Sequence, residues 1–142
     1  MTSVFISKKL RERVAEQARY RCGYCLSSEL IVGLSMEVDH LLPQAFGGPS
    51  IEENLWLACS ACNAFKGSRI SARDPESGQA VRLFNPRQQS WEEHFAWVES
   101  GARIVGRTAI GRATTKALRL NRPLLVRARR SWVTVGWHPP DD

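Results

Sequence analysis

The four cysteines of this 142-residue chain occur as two C-x-x-C pairs, and this spacing constrains the fold more than any other feature. The first pair is Cys22 and Cys25, and the second is Cys59 and Cys62. Between Cys25 and Cys59 lie 33 residues. Thiolates at this spacing suit a tetrahedral Zn²⁺ ion, and two disulfides are the alternative. Because the start MTSVFISKKL lacks the pattern of a secretory signal, we expect a cytoplasmic location and a structural zinc site.

A zinc ion held by four thiolates has no open coordination position for water or substrate. Such a site contributes folding free energy rather than catalysis, so any chemistry must use other residues. Candidates for that chemistry lie between and just after the cysteine pairs. They are Asp39-His40 in EVDHLLP, Asn54 in ENLWLAC, and Asn63 directly after the last cysteine.

Length and charge narrow the class of protein. A chain of this length is expected to form a single domain over residues 1–142, and it contains no apolar run near the roughly 20 residues of a membrane span. The formal net charge of +6 lies entirely in residues 80–142, which contain 11 Lys+Arg and 5 Asp+Glu. This distribution favours a polyanionic partner, although a solvated basic surface explains it equally well.

Residue periodicity predicts a mixed α+β fold. We expect a helix over 7–20 with Ser7 as N-cap, a strand over 37–42, a return strand over 55–58 and a helix over 63–70. After a turn at 74–78, the pattern predicts strands over 81–84 and 103–107 and a helix through Trp91, Phe95 and Val98. Two further helices are predicted over 113–120 and 123–132. His94 reads as structural, and the final WHPPDD, with His138, as an exposed tail.

These motifs together resemble the HNH endonuclease family, also called the ββα-metal nucleases. The resemblance covers about residues 20–72 and includes the Gly47-Gly48 loop and the closing CNAFKG. It implies a ββα-metal core stapled by the four-cysteine zinc site, with an N-terminal helix. A weaker match, over about residues 80–135, implies a basic α/β C-terminal extension.

The resemblance also implies an activity, namely metal-dependent hydrolysis of DNA phosphodiesters to products with 5′-phosphate and 3′-hydroxyl ends. His40 would be the general base, Asp39 and Asn63 would bind one divalent ion, and Asn54 would organise the loop that orients His40. Oxygen ligands suit Mg²⁺ or Mn²⁺. Many family members have histidine where this chain has Asn63, so the site is the HNN variant.

Strand geometry raises a question about the two adjacent residues Asp39 and His40. Neighbouring side chains of a regular strand point to opposite faces, so either the pleat distorts or one of the two does not face the site. Glu37 shares the face of Asp39 in a regular strand. It is therefore an alternative ligand or supporting carboxylate.

Basic side chains are candidates for DNA contact. Lys66, one helical turn beyond Asn63, is either a phosphate contact or an exposed helix lysine. Arginines of the extension are candidates for contacts with the phosphate backbone, since guanidinium groups donate in a planar fork. These are Arg119, Arg122, Arg127 and Arg130, with Arg129 beside them.

The expected partner is double-stranded DNA, with no membrane and with a homodimer or larger nuclease assembly left open. The alternative function is a non-catalytic zinc-ribbon module that binds nucleic acid through the basic C-terminal half. A third is a protein-interaction domain whose arginines pair with acidic partners. The set of Asp39, His40, Asn54 and Asn63 argues against the zinc-ribbon module, because simple binding does not require it.

Overall fold

A computed structural model describes residues 5–141, which fold into two compact units. The first unit extends to Ile70 and includes Asn85–Gln88, and the second contains Ser71–Phe84 and the residues from Gln89 onward. A single domain over 1–142 stays a prediction. Residues 1–4 and residue 142 lie outside the described residues. The start MTSVFISKKL and the C-terminal tail, both used in the predictions above, are therefore described only in part. Within residues 5–141, no helix has the length and apolar character needed to cross a bilayer.

The first unit contains a two-stranded sheet and three helices, which confirms the predicted ββα order. Two 3-10 turns, Gln44–Phe46 and Glu52–Asn54, lie in the loop between the strands. The elements are α1 (Lys8–Gln17), α2 (Glu29–Val32), β1 (Glu37–His40), β2 (Leu55–Ala58) and α3 (Ser60–Lys66).

Helix α1 begins where the sequence predicts. The Ser7 hydroxyl accepts a hydrogen bond from the Leu10 amide at 3.1 Å, which satisfies one of the amides that a helix start leaves unpaired. The helix ends at Gln17, earlier than expected, because Arg19 and Tyr20 adopt positive φ angles. That left-handed turn directs the chain into the first cysteine pair.

Strands β1 and β2 form an antiparallel hairpin with an uninterrupted register, from Glu37 opposite Ala58 to His40 opposite Leu55. β2 has its predicted bounds, whereas β1 ends two residues before the predicted Leu42. Leu55 and Leu57 are 0% and 1% exposed, so alternate residues of β2 supply the core of this unit. Helix α3 follows β2 after a single residue and ends where Gly67 adopts a φ of +56°.

The segment Asn85–Gln88 returns to the first unit and fastens β2. The Arg87 guanidinium donates to the Leu55 carbonyl at 2.9 and 3.1 Å and to Gln17 Oε1 at 2.7 Å. It also lies over the Trp56 ring, 5.0 Å from the centroid. One side chain therefore ties α1 to the strand that precedes the second cysteine pair.

The second unit is built from two β-hairpins and three helices. β3 pairs with β4 and β5 with β6, both antiparallel, and the predicted turn at 74–78 connects the first pair. The elements are β3 (Ser71–Arg73), β4 (Ala80–Arg82), α4 (Trp91–His94), β5 (Phe95–Val98), β6 (Arg103–Gly106), α5 (Ala109–Ala117) and α6 (Pro123–Thr134).

The predicted helix through Trp91, Phe95 and Val98 is wrong in its second half. The helix stops at His94, and Phe95–Val98 forms a strand that pairs with β6. Aromatic and β-branched residues fit a pleated surface, and the ladder to β6 satisfies their backbone groups. The apolar spacing alone could not distinguish a four-residue helix followed by a strand from one longer helix.

The C-terminal residues are also packed more firmly than predicted. His138 is 6% exposed, and its Nε2 lies 3.0 Å from the Gly101 carbonyl oxygen. Its ring stands edge-on to Trp97, with centroids 4.4 Å apart. The prediction of an exposed His138 was wrong, because its ring packs against Trp97 of β5 and Trp132 of α6.

A buried carboxylate connects the turn between β3 and β4 to α5. Asp74 is 0% exposed, and its two oxygens accept from Arg112 Nε and Nη2 at 3.0 and 2.9 Å. These hydrogen bonds, aided by those from Ser77, hold the pKa of Asp74 well below its usual range. The carboxylate therefore stabilises the folded state in its charged form.

Replacing Asp74 with Asn should lower the free energy of unfolding at pH 7. The folded pKa is depressed, so this contribution is present above the unfolded pKa of about 3.9 and is lost as pH falls toward the folded pKa. The difference in urea midpoint between wild type and Asp74→Asn should therefore narrow from pH 7 to about pH 3. Glu76→Gln, whose side chain is 73% exposed, is the control. A difference independent of pH would contradict this assignment.

Candidate functional site

The four cysteine sulfur atoms lie within 4.8 Å of one another. Sγ of Cys25 and Sγ of Cys59 are 3.8 Å apart, and all four cysteines are free thiols. A tetrahedral zinc site with bonds of about 2.3 Å has ligand-to-ligand edges of about 3.8 Å. The donor type and spacing fit a closed zinc site, so this cluster can hold a zinc ion.

Local structure directs each cysteine pair toward the cluster. The first knuckle, defined as Cys22–Cys25, is a turn closed by hydrogen bonds from the Leu26 amide to the Cys22 carbonyl and from the Cys22 amide to the Ser27 carbonyl, at 3.0 and 2.9 Å. In the second pair, Cys59 is the N-cap of α3, and its sulfur accepts from the Cys62 amide at 3.4 Å. A helix N-terminus favours negative charge, which suits a thiolate ligand.

The thiols perturb one another strongly. Burial raises the pKa of Cys22 well above its usual value, whereas hydrogen bonding from Cys22 lowers the pKa of Cys25. Protons are therefore shared unequally, because four adjacent thiolates repel one another in a buried space. A divalent cation removes that repulsion and keeps every sulfur deprotonated.

Removing one sulfur should destabilise the first unit. We expect Cys59→Ser to lose bound zinc and more than about 4 kcal/mol of unfolding free energy, since loss of a structural metal is among the largest single-residue effects. Zinc content by elemental analysis and denaturant unfolding measure this. Ser60→Ala, at an exposed neighbouring position, should retain both. A Cys59→Ser protein with wild-type zinc and stability would exclude the four-sulfur site.

Asp39 lies at the buried end of the candidate active site and is 4% exposed. Its Oδ2 accepts from the Tyr24 hydroxyl at 2.7 Å, and its Oδ1 accepts from Lys66 Nζ at 3.1 Å. Lys66 also donates to the His40 carbonyl at 3.1 Å, and its side chain is 3% exposed. Lys66 is therefore not an exposed helix lysine, and its contact with a phosphate stays a prediction.

His40 is the last residue of β1 and is half-buried. Its Nε2 lies 2.7 Å from Ser50 Oγ, in the loop between the strands. The register of β1 against β2 is uninterrupted as far as His40. Burial lowers the pKa of His40 and Lys66 lowers it further, against an opposing effect of Asp39. The imidazole is thus predominantly neutral at pH 7.

Asn54 cross-links the loop that follows His40. Its Oδ1 accepts from the Leu42 amide at 2.8 Å, while its Nδ2 donates to the Leu42 and Pro49 carbonyls at 3.0 and 2.9 Å. Gly48 completes this packing, since a Cβ there would lie 1.7 Å from the Leu42 carbonyl oxygen. The amide makes the loop contacts that the sequence predicts for Asn54, and its influence on His40 during catalysis stays a prediction.

Replacing Asn54 with Ala should loosen this loop. The Leu42 amide and two carbonyls lose their partner, which should cost about 1–3 kcal/mol of stability. Hydrogen exchange of the Leu42 amide should accelerate, as measured by NMR. Gln44→Ala, at an exposed position of the same loop, serves as control. Unchanged protection at Leu42 in Asn54→Ala would contradict the cross-linking role.

Asn63 lies on α3 opposite the carboxylate-bearing face of β1. Its Nδ2 donates to Glu37 Oε1 at 2.7 Å, and Glu37 shares its strand face with Asp39. The strand and helix thus offer two carboxylates and an amide, all oxygen donors of the kind that Mg²⁺ and Mn²⁺ prefer. A cation, the Lys66 ammonium, already contacts Asp39. Oxygen donors of this kind suit a divalent ion, and a shared ion on Asp39 and Asn63 stays a prediction; Glu37, ranked second from sequence, is the carboxylate in contact with Asn63.

Of the five arginines predicted to contact the DNA backbone, Arg129 is buried and the other four are at least partly exposed. Arg129 is 0% exposed, donates to the Ala102 carbonyl at 3.2 Å and lies over Trp97, 5.2 Å from the ring centroid. It is a core residue of the second unit, so the prediction that it joins a phosphate-binding face was wrong. DNA contact by the other four stays a prediction; Arg119, Arg127 and Arg130 are exposed and Arg122 is half-buried.

Comparison with known proteins finds a family whose model matches the segment that contains this site. The model of the family described as HNH endonuclease matches residues 22–69, from the first cysteine to just beyond α3. The resemblance predicted from the motifs is therefore confirmed over this segment. At the level of the family, the match supports nuclease activity on nucleic acid and divalent-metal use, and it does not favour the non-catalytic module. The curated proteins and the solved structures contain no significant match to the chain.

Proposed function

We propose that this protein is a metal-dependent DNA endonuclease that hydrolyses phosphodiester bonds, with His40 as general base. The observation that carries the proposal is a half-buried imidazole at the end of β1, within the segment that matches HNH endonucleases. A nuclease requires a base that is neutral at physiological pH, and burial lowers the pKa of His40 in that direction.

Ser50 positions the imidazole for proton transfer. When Nε2 carries the ring proton and donates it to Ser50 Oγ, Nδ1 holds the lone pair that accepts a proton from water. The water oxygen attacks phosphorus, the bond to the 3′ oxygen breaks, and the leaving oxygen takes up a proton from solvent. The products are then a 5′-phosphate and a 3′-hydroxyl. Asn54 supports this arrangement by holding both ends of the loop that contains Ser50.

Asp39 and Asn63 are the proposed ligands of one Mg²⁺ or Mn²⁺ ion, with Glu37 as the neighbouring carboxylate. When bound, a divalent ion neutralises the negative charge that develops on the phosphate and the leaving oxygen. Asp39 is buried, and its Oδ1 lies 3.1 Å from Lys66 Nζ, so this oxygen already faces a basic side chain.

Double-stranded DNA is the proposed substrate, with exposed arginines of the second unit as backbone contacts. Arg119, Arg127 and Arg130 lie on or near α6 and would contact phosphates without reading bases. Binding of that kind weakens steeply with salt. A cytoplasmic location and assembly as a homodimer or within a larger nuclease complex are further parts of this proposal.

Cleavage of plasmid DNA by wild type and His40→Ala tests the proposal. With Mg²⁺ or Mn²⁺ and matched zinc content, the variant should lose about 100-fold or more in rate, the range that general-base catalysis contributes. His94→Ala, which removes a half-buried imidazole from the second unit, is the matched control and should keep its activity.

Two results would contradict the proposal. Equal rates for wild type and His40→Ala would remove His40 from the mechanism. Tight, salt-sensitive DNA binding by wild type, without cleavage under any divalent ion, would identify a zinc-stabilised binding module instead.

A further inference from the structure

One side chain of the first knuckle reaches the candidate active site. Tyr24 lies between Gly23 and Cys25, is 0% exposed, and donates its hydroxyl proton to Asp39 Oδ2 at 2.7 Å. Gly23 cannot carry a side chain, since a Cβ there would lie 2.4 Å from Trp56. The turn that presents two sulfur ligands therefore also sets the position of the Tyr24 hydroxyl.

The two oxygens of Asp39 have partners of different charge. Oδ1 accepts from the Lys66 ammonium at 3.1 Å, whereas Oδ2 accepts from the neutral Tyr24 hydroxyl. An ammonium and a metal ion are both cations and compete for one carboxylate oxygen. A hydroxyl donor does not compete in this way, because it binds one oxygen and leaves the negative charge available to a cation at the other.

We propose that Tyr24 is a positioning residue that holds Asp39 with Oδ1 directed toward the cation position. Tyr24 thereby links the four-cysteine cluster to divalent-ion binding at the candidate active site. The inference rests on the proposed function in one respect, that Asp39 binds the ion. Removal of a partner that orients a metal ligand typically lowers metal affinity about 10–100-fold.

A purely structural role for the hydroxyl makes a different prediction. If the hydroxyl only satisfies a buried carboxylate, its removal lowers stability, and the affinity for a divalent ion stays unchanged. Ion affinity measured without DNA therefore separates the two roles. Cleavage rate does not separate them, since a destabilised protein also cuts more slowly.

The test compares Tyr24→Phe with Tyr20→Phe in the full chain at matched zinc content. Tyr20 is 40% exposed and lies just before the same knuckle, so it controls for the chemical change itself. Titration with Mn²⁺, followed by the electron paramagnetic resonance signal of the free ion, should show affinity at least about 10-fold weaker for Tyr24→Phe. Tyr20→Phe should match wild type. Wild-type affinity in zinc-loaded Tyr24→Phe, or wild type that binds no Mn²⁺, would overturn the inference.

A second measurement needs no Tyr24 variant. The chain contains two tyrosines, so labelling with 3-fluorotyrosine gives two ¹⁹F resonances, which Tyr20→Phe assigns. Addition of Mg²⁺ should shift the Tyr24 resonance and leave that of Tyr20 in place, and Asp39→Asn should abolish the shift. An unchanged ¹⁹F chemical shift of Tyr24 at saturating Mg²⁺ would contradict a link between Tyr24 and ion binding by Asp39. Tyr24-dependent ion binding without DNA cleavage would leave the inference standing and refute the nuclease proposal.

Discussion

The structure of the first unit depends on bringing four sulfur atoms within 4.8 Å of one another. One pair of these sulfurs comes before the β-hairpin, and the other lies where β2 passes into α3. An ion shared by the four sulfurs would fix the turn, the hairpin and the helix in one arrangement. It would also offset the mutual repulsion of the sulfurs as thiolates. A unit of about 70 residues buries a smaller fraction of its surface than a larger domain does, so its apolar core alone would stabilise those elements less.

The candidate active site is built around a second electrostatic constraint, the burial of Asp39. An ion pair whose side chains are 3% and 4% exposed gains little net stability, because desolvation of both charges offsets their attraction. The Tyr24 hydroxyl donates to one oxygen of this carboxylate, and Lys66 Nζ donates to the other. A charge kept at such cost in the interior is expected where function requires it. Its place on the strand face of Glu37, the carboxylate that contacts Asn63, agrees with that expectation.

Features controlled by local chemistry were predictable from the sequence. The Ser7 cap, the strand Leu55–Ala58 and the turn at 74–78 depend on neighbouring residues, and each occurs where expected. Features controlled by distant partners were not. Phe95–Val98 is a strand because β6 lies beside it, and His138 is buried because Trp97 packs against its ring. The Arg87 contacts with Leu55 and Gln17 carried no local signal at all.

The sequence by itself determined the four-sulfur cluster, since two C-x-x-C pairs supply four thiol donors at the spacing of a closed zinc site. It also determined the ββα order, because hydrophobic periodicity is a local property. Only the tertiary structure decided that Asp39 is buried while His40 remains half-exposed, and that Lys66 points inward. These outcomes depend on the register of β1 against β2 and on where α3 crosses the hairpin. Such contacts join residues up to 27 positions apart, so no local pattern encodes them.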